Sequence, residues 1–516
     1  MNPFDSRGVP NHRINSSMDE HTSPVTEDEA HHLLSRLTYG ATIDRLAESV
    51  GLTAGEIVDQ LLDEAEAPLP PAPSWITVQR PPRGAPSEDF TAFNASNRTW
   101  RDELRTSWIQ DMAENGLRGR LALFWHNHFV TSYVVYSYAA MGYHYLKTLQ
   151  THSTGNFKDF VHAVGRDSAM LVYLDGDTNR ASAPNENYAR ELLELFTMSP
   201  VGPDGSPNYT EDDIQEISRA MTGWRITPSS TWFSYMLFTR YDDGDKTIFG
   251  QTSDFNYNEV IDLIFQERAT QIAHFIAEKL YCEFIYQDPD PEAIADLAQT
   301  FVDSEFELRP VLRKLFTSQR FLDQNFAGSR VKSPVEFLLG HFREIDILPT
   351  EDQAEEIWRG AAEMGQSIFD PPNVAGWPGQ RYWLSTDTLP KRWSSSEYLS
   401  SRSISRVYLI NFSENLVGQA NIYAGVDLPV ALAKHFLKVP IDWVEVPNIS
   451  EPFEGDLDAN PLPEWLVNGP ENQRNLVKLF LGSVPWYEYS IRTGVGHVMI
   501  ANFLTKLSQF PEYQLI

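Results

Sequence analysis

The chain has almost no cysteine. Cys282 is the only one in 516 residues, so no disulfide can form within the chain, and zinc sites built from several thiolates are excluded. It falls in "IAEKLYCEFIY", an apolar helical pattern where cysteine is expected as a small buried hydrophobe. Basic residues are scarce as well, 41 against 71 acidic, for a formal net charge of −30. A field of that sign repels phosphate backbones and anionic lipid, so no nucleic-acid partner is expected. No apolar run is long enough to span a membrane. The opening "MNPFDSRGVPNHRINSSMDEHTSP" holds no segment of the kind export signals carry, which gives a cytoplasmic location as the first expectation. No repeat of fixed period appears, against a solenoid. Gly-x-Ser-x-Gly, phosphate-binding loops, dinucleotide fingerprints and His-Glu-x-x-His are all missing, and several large enzyme classes go with them.

What is present is mostly helix. Apolar residues make up 42% of the chain and charged residues 22%, ordinary for a globular protein. "TEDE" and "TAGE" pair Thr26 with Glu29 and Thr53 with Glu56, and "YTEDD" pairs Thr210 with Asp213. Each has the spacing at which a helix N-cap and its third residue satisfy one another's amides. Gly40, Gly51 and Gly223 mark stops. The expected fold is mainly α, a multi-helix single body with long irregular connections. Residues 1–25 read as a disordered tail and 26–516 as the helical domain, with extended connectors at 66–98 and 447–474. The one strand signal is "WFSYMLFTRYDDGDKTIFG", expected as a single small hairpin over 231–250 around Asp243-Gly244.

Four long stretches, "RLALFWHNHFVTS", "AMLVYLDGDTNRASAPNENYARELLELFTM", "YTEDDIQEISRAMTGW" and "FDPPNVAGWPGQRYWLST", carry a resemblance to the large bacterial family called domain of unknown function 1800. The opening "HHLLSRLTYGAT" and the closing "LTKLSQFPEYQLI" fit it too. The resemblance implies no reaction. It does imply a periplasmic location as the alternative to the cytoplasm, because many members carry export signals. It also implies a protein partner from the uncharacterised family 1501, whose genes often neighbour this family's. Where the family often has a histidine before Asp-x-Gly-x-Lys, this chain has Tyr241, so no role for that histidine carries over.

Three stretches could hold chemistry. In "LDGDTNRASAPNENYARELLELF", Asp175, Asp177, Asn179 and Glu186 take positions one, three, five and twelve of a calcium loop. Arg180 stands where such a loop needs glycine, which opposes that reading. The alternative makes Asn185 the cap of an amphipathic helix, with Glu186 serving its N-terminus. At 100° per residue Asn187, Arg190, Glu191 and Glu194 share one face of it. In "FWHNHF", His126 and His128 are about 200° apart on a helix and cannot bind one ion together, and His128 falls in the apolar stripe. A core histidine satisfied by a hydrogen bond is the plainer account of His128. Meeting Glu191 or Glu194 across a helix pair would instead give a carboxylate–histidine site. In "FDPPNVAGWPGQRYW", Asp370 and Asn373 make a rigid turn, and Trp377 and Trp383 offer flat faces for stacking or for capping a core.

Two functions are therefore expected as alternatives. One is an acid/base or metal-assisted enzyme, hydrolytic or polymer-modifying, with an acidic, tryptophan-lined pocket. In it His128, Arg190, Glu191 and Glu194 would be catalytic, and Asn187, Asp370, Asn373 and Trp377 would bind substrate. A divalent metal is the one cofactor the residues suggest. The other is a non-catalytic accessory protein whose motifs pack the core. Convergence of His128, Arg190, Glu191, Asn373 and Trp377 on one cavity would separate the two.

Overall fold

The threonine–acid pairs begin helices as their spacing predicts. In a computed structural model, which describes residues 16–227, 232–419, 421, 423–439, 444, 446 and 463–516, capping boxes open the helices Glu27–Leu37, Ala54–Ala65 and Glu211–Ala220. Each places two otherwise orphaned amides on side-chain oxygens. Helix dominates the described residues throughout, and the strands amount to two two-stranded antiparallel sheets. The fold is mainly α.

The β-prone stretch does not turn on Asp243-Gly244. β1 (Trp224–Ile226) pairs with β2 (Ser234–Met236), and β3 (Lys246–Ile248) pairs with β4 (Gln251–Ser253). Asp242 decides this. Its carboxylate is held by Arg219 at 2.9 Å and accepts the Gly244 N–H, so the Asp-Gly segment becomes an anchored loop. The tight turn falls instead on Phe249 and Gly250, with φ of 49° and 78°, both positive as such hairpin turns demand.

Two expected connectors are shorter than their composition suggests. Helix Ser87–Glu114 occupies the latter part of the 66–98 connector, so only its first part is irregular, with one 3-10 turn at Ser74–Thr77. Of the 447–474 connector, residues 447–462 lie outside the described residues, and Glu464–Asn468 and Glu471–Leu481 are helices. The tail differs likewise. Residues 1–15 lie outside the described residues, but 16–25 are docked: the His21 N–H donates to Thr317 O at 2.7 Å, and Pro24 bridges to Thr53.

Three helices frame the region of interest. Gly116–His128 packs against Ala139–His152, while Ala269–Phe284 lies along Pro291–Asp303. Around the end of the first, Trp125, Phe129, Phe157 and Phe160 are buried in ring-to-ring contact. Each such ring contributes about 1.5–3 kcal/mol by burial. The third helix begins at Asn187–Glu191 and runs on as a wide π turn, Leu192–Thr197, in which Met198 N–H reaches back five residues to Leu193 O at 3.1 Å. Such turns are rare and concentrate at functional sites.

Candidate functional site

The three polar residues of "FWHNHF" do different work. His126 is fully buried, and its Nε2 accepts the Phe369 N–H at 3.0 Å, which puts its hydrogen on Nδ1, 2.8 Å from the Tyr145 hydroxyl. That hydroxyl donates to Phe129 O. Burial pushes the imidazole down to about 3, so it stays neutral and fixes the turn at Phe369. His128 Nε2 lies 3.0 Å from Phe196 O. A carbonyl only accepts, so the hydrogen is on Nε2, and Nδ1 is left bare, buried and without a hydrogen-bond partner among the described residues. Burial and then the nearby Lys279 charge hold this imidazole well below its ordinary value. Asn127 grips the tryptophan loop, its Oδ1 accepting the Trp377 N–H at 2.6 Å and its Nδ2 donating to Trp377 O at 3.3 Å.

His128 and Trp377 line one cleft of about 490 Å³ between the helices Gly116–His128 and Ala269–Phe284 and the loop 375–383. Its floor is an ion network. Glu336, 3% exposed, bonds Arg120 and Arg330 through one oxygen and takes the Ser333 N–H on the other at 2.6 Å. Burial alone would raise this carboxyl, but the two guanidiniums outweigh it and hold it at about 2. Glu283 completes the network with Arg330 at 2.7 Å. Lys279 is different, for it forms no ion pair among the described residues, and its Nζ sits 4.8 Å from the Phe275 ring centre. Burial pushes its ammonium down to about 8, with Glu278 only partly offsetting that. Cys282, one helical turn on, is only partly buried and lines the same cleft. Burial and nearby carboxylates push its thiol up to about 12, so it stays protonated.

The cleft is cationic rather than acidic: Arg120, Lys279, Arg330 and Arg381 face it against Glu283 and Glu336. Arg120 Nε, His128 Nδ1, Arg330 Nε and Trp377 Nε1, all on residues lining it, are buried without hydrogen-bond partners among the described residues. Unpaired buried polar atoms are costly, and four beside one cavity suit a polar occupant.

The other residues singled out from the sequence lie elsewhere. Arg190 pairs with Glu211 at 2.8 Å and with Glu186 at 3.4 Å and does not line the cleft. Nor do Glu191 and Glu194. Burial and then Glu194 raise the Glu191 carboxyl, and burial and then Glu194 push the Tyr209 phenol up to about 12, so these groups cluster together. Asn187 donates to Asp175 Oδ2 at 3.0 Å. Asp370 is a structural anchor that accepts from Arg105 at 3.0 Å, from the Ser132 hydroxyl at 2.8 Å and from the Val134 N–H. Asn373 is exposed and closes its own turn onto the Ala375 N–H. The proposed convergence thus holds for His128 and Trp377 and fails for Arg190, Glu191 and Asn373.

The calcium cage does not assemble either. Asn179 spends its oxygen on the Asn185 N–H at 2.9 Å and its amide on Ser218 O. Glu186 turns to Arg190, while Asp177 is raised by burial and faces Arg225. Among the described residues no group of three or more His, Cys, Asp or Glu side chains is placed to hold a metal ion. Asn185 is not the N-cap of the following helix: Glu186 holds that position with no capping side-chain bond, and Asn185, one residue before it, accepts the Asn187 N–H at 3.0 Å.

Asn127 and Lys279 were hidden from sequence reasoning, one as the middle letter of a histidine pair and the other inside an apolar helical run. The cleft nevertheless joins two of the stretches that carried the resemblance. No curated protein and no solved structure matches the chain. A family model matches residues 32–481, and the chain belongs to that family, described as "Protein of unknown function (DUF1800)".

Proposed function

We propose that this chain is an acid–base enzyme acting on an anionic substrate in the His128–Lys279–Trp377 cleft. The observation that carries it is Lys279, an amine lining the cavity with no ion pair among the described residues and held by burial at about 8. At neutral pH a fraction on the order of a tenth of such amines is free base, which is the range in which a group both takes and gives protons efficiently. The excess of cations would draw a carboxylate or phosphate ester in, with Arg381 reached first because it is exposed. Trp377 and Trp383 supply flat walls, and the bare Nδ1 of His128 would accept a hydrogen bond from a substrate hydroxyl or an attacking water. A hydrolytic or polymer-modifying reaction fits this arrangement.

The test is the titration of Lys279 with trinitrobenzenesulfonate, an anionic amine reagent, read peptide by peptide by mass spectrometry. Half-maximal labelling near pH 8 is expected, at least about two units below the surface lysines. Labelling of Lys279 only with an ordinary midpoint near 10.4 would overturn the reading. With a turned-over ester in hand, Lys279→Met should lower kcat by on the order of 100-fold.

A further inference from the structure

A second concavity, of about 690 Å³, is ringed by Arg180, Arg225 and Arg240, with Asn185 and Glu186 on its rim. We infer that this groove is a binding site for a multiply charged oxyanion of the phosphate type, separate from the cleft that holds Lys279. In a chain with 71 acidic residues, three guanidiniums on one surface would be expected to find carboxylates. Arg180 and Arg240 have no ion-pair partner among the described residues. Glu186, the one carboxylate lining the groove, is engaged by Arg190 at 3.4 Å.

The arginines are brought together by the backbone. The Ala181 N–H donates to Arg240 O at 2.8 Å, binding the two segments that carry the unpaired guanidiniums. Arg180 and Ala183 bridge across their own loop, and the Gly223 N–H donates to Asn179 O, tying β1 to the same loop. Arg225 is further pinned by its bond to Asp177 O. Gathering like charges costs free energy, and the carboxylates at hand, Asp177 facing Arg225 and Glu186 engaged by Arg190, leave Arg180 and Arg240 without an ion pair among the described residues. A ligand with several anionic oxygens would offset it, since guanidiniums bind such groups through paired, charge-assisted hydrogen bonds. The signature string around Arg180, which resembles a calcium loop by spacing alone, is then an anion loop.

Calorimetric titration of the full chain with inorganic pyrophosphate tests this, beside a second arm with phosphatidylglycerol vesicles. Pyrophosphate should bind with Kd below about 1 mM, weaken as salt is raised, and weaken at least about tenfold in the double variant Arg180→Gln, Arg240→Gln. Among the described residues neither side chain makes a hydrogen bond or ion pair, so the melting temperature of that variant should match the parent's. The single variants, each intermediate in affinity, serve if it does not. No pyrophosphate binding, unchanged affinity in the variants, or binding to vesicles alone would overturn the inference.

Discussion

Asn127 and Trp377 are locked together by two hydrogen bonds, 2.6 and 3.3 Å, between one carboxamide and both backbone groups of one residue. The grip requires close approach. Gly376 has φ of 83°, and a Cβ there would run into Asn127. Asn127→Ala should cost about 1–3 kcal/mol, because the Trp377 amide loses its acceptor in a half-buried place. The loop should loosen before the protein unfolds, so limited proteolysis within 375–383 should speed up while the helical circular dichroism stays. Gly376→Ala should behave the same way. Parent-like proteolysis in both variants would show that the loop is held by its tryptophans alone.

Glu336 should be the least replaceable carboxylate of the cleft. Glu336→Gln leaves Arg120 and Arg330 buried against a neutral group and should cost about 3–5 kcal/mol in denaturant unfolding. Glu283→Gln removes a carboxylate whose side chain is 32% exposed, and about 1 kcal/mol or less is expected. The pH behaviour follows from the depressed carboxyl. The Glu336 contribution is fully present above the unfolded value near 4.3 and is lost as pH falls through about 2. Equal costs for the two variants would remove the distinction.

Acid should weaken the protein well above the ordinary carboxylate range. His32, His126, His128, His341 and His435 are buried and His31 is partly buried, and all six are lowered, four of them to about 3 or 4. The unfolded chain protonates them near 6.5 while the folded one does not, so their contribution is present above 6.5 and drains as pH falls toward 4. Three carboxyls raised by burial, Asp167 to about 7, Asp177 and Glu191, work in the opposite sense. The histidines outnumber them, and each unmatched proton is worth about 1.4 kcal/mol per pH unit. Melting temperature should fall by several degrees from pH 7 to pH 5. A flat or rising profile would mean that these histidines are not held neutral.

Much of the fold could be read from residues whose effect is local. Thr26 with Glu29 caps a helix whatever lies around it, and Thr210 with Asp213 caps another for the same reason. The site was harder, because it depends on register and on partners far along the chain. A uniform 100° per residue put Glu194 on one face with Glu191 and left a meeting with His128 open beside the plainer account of a hydrogen-bonded core histidine. The π turn at 192–197 rotates each residue by less, and what reaches His128 is the carbonyl of Phe196, which no side-chain pattern announces. Lys279 read as part of an apolar stripe because its neighbours are Phe275, Ile276, Leu280 and Cys282. Only the packing shows that its tip forms no ion pair among the described residues and that Glu278 offsets its burial only in part. The strand stretch was located by composition, but its partners were set by Arg219 taking Asp242 out of the turn.

The segment that carries Arg330 is not self-supporting. Its N–H donates to Ile516 O at 3.2 Å and its carbonyl accepts the Ile516 N–H at 2.8 Å, while the Lys332 N–H donates to Gln514 O. One wall of the cleft is therefore stitched to residues that the ribosome adds far later than the Gly116–His128 helix. Until synthesis reaches them, the nascent chain must carry Arg120, Arg330 and Glu336 through the cell without their final enclosure. A protein built this way cannot close its cavity until residues 514–516 have joined that wall.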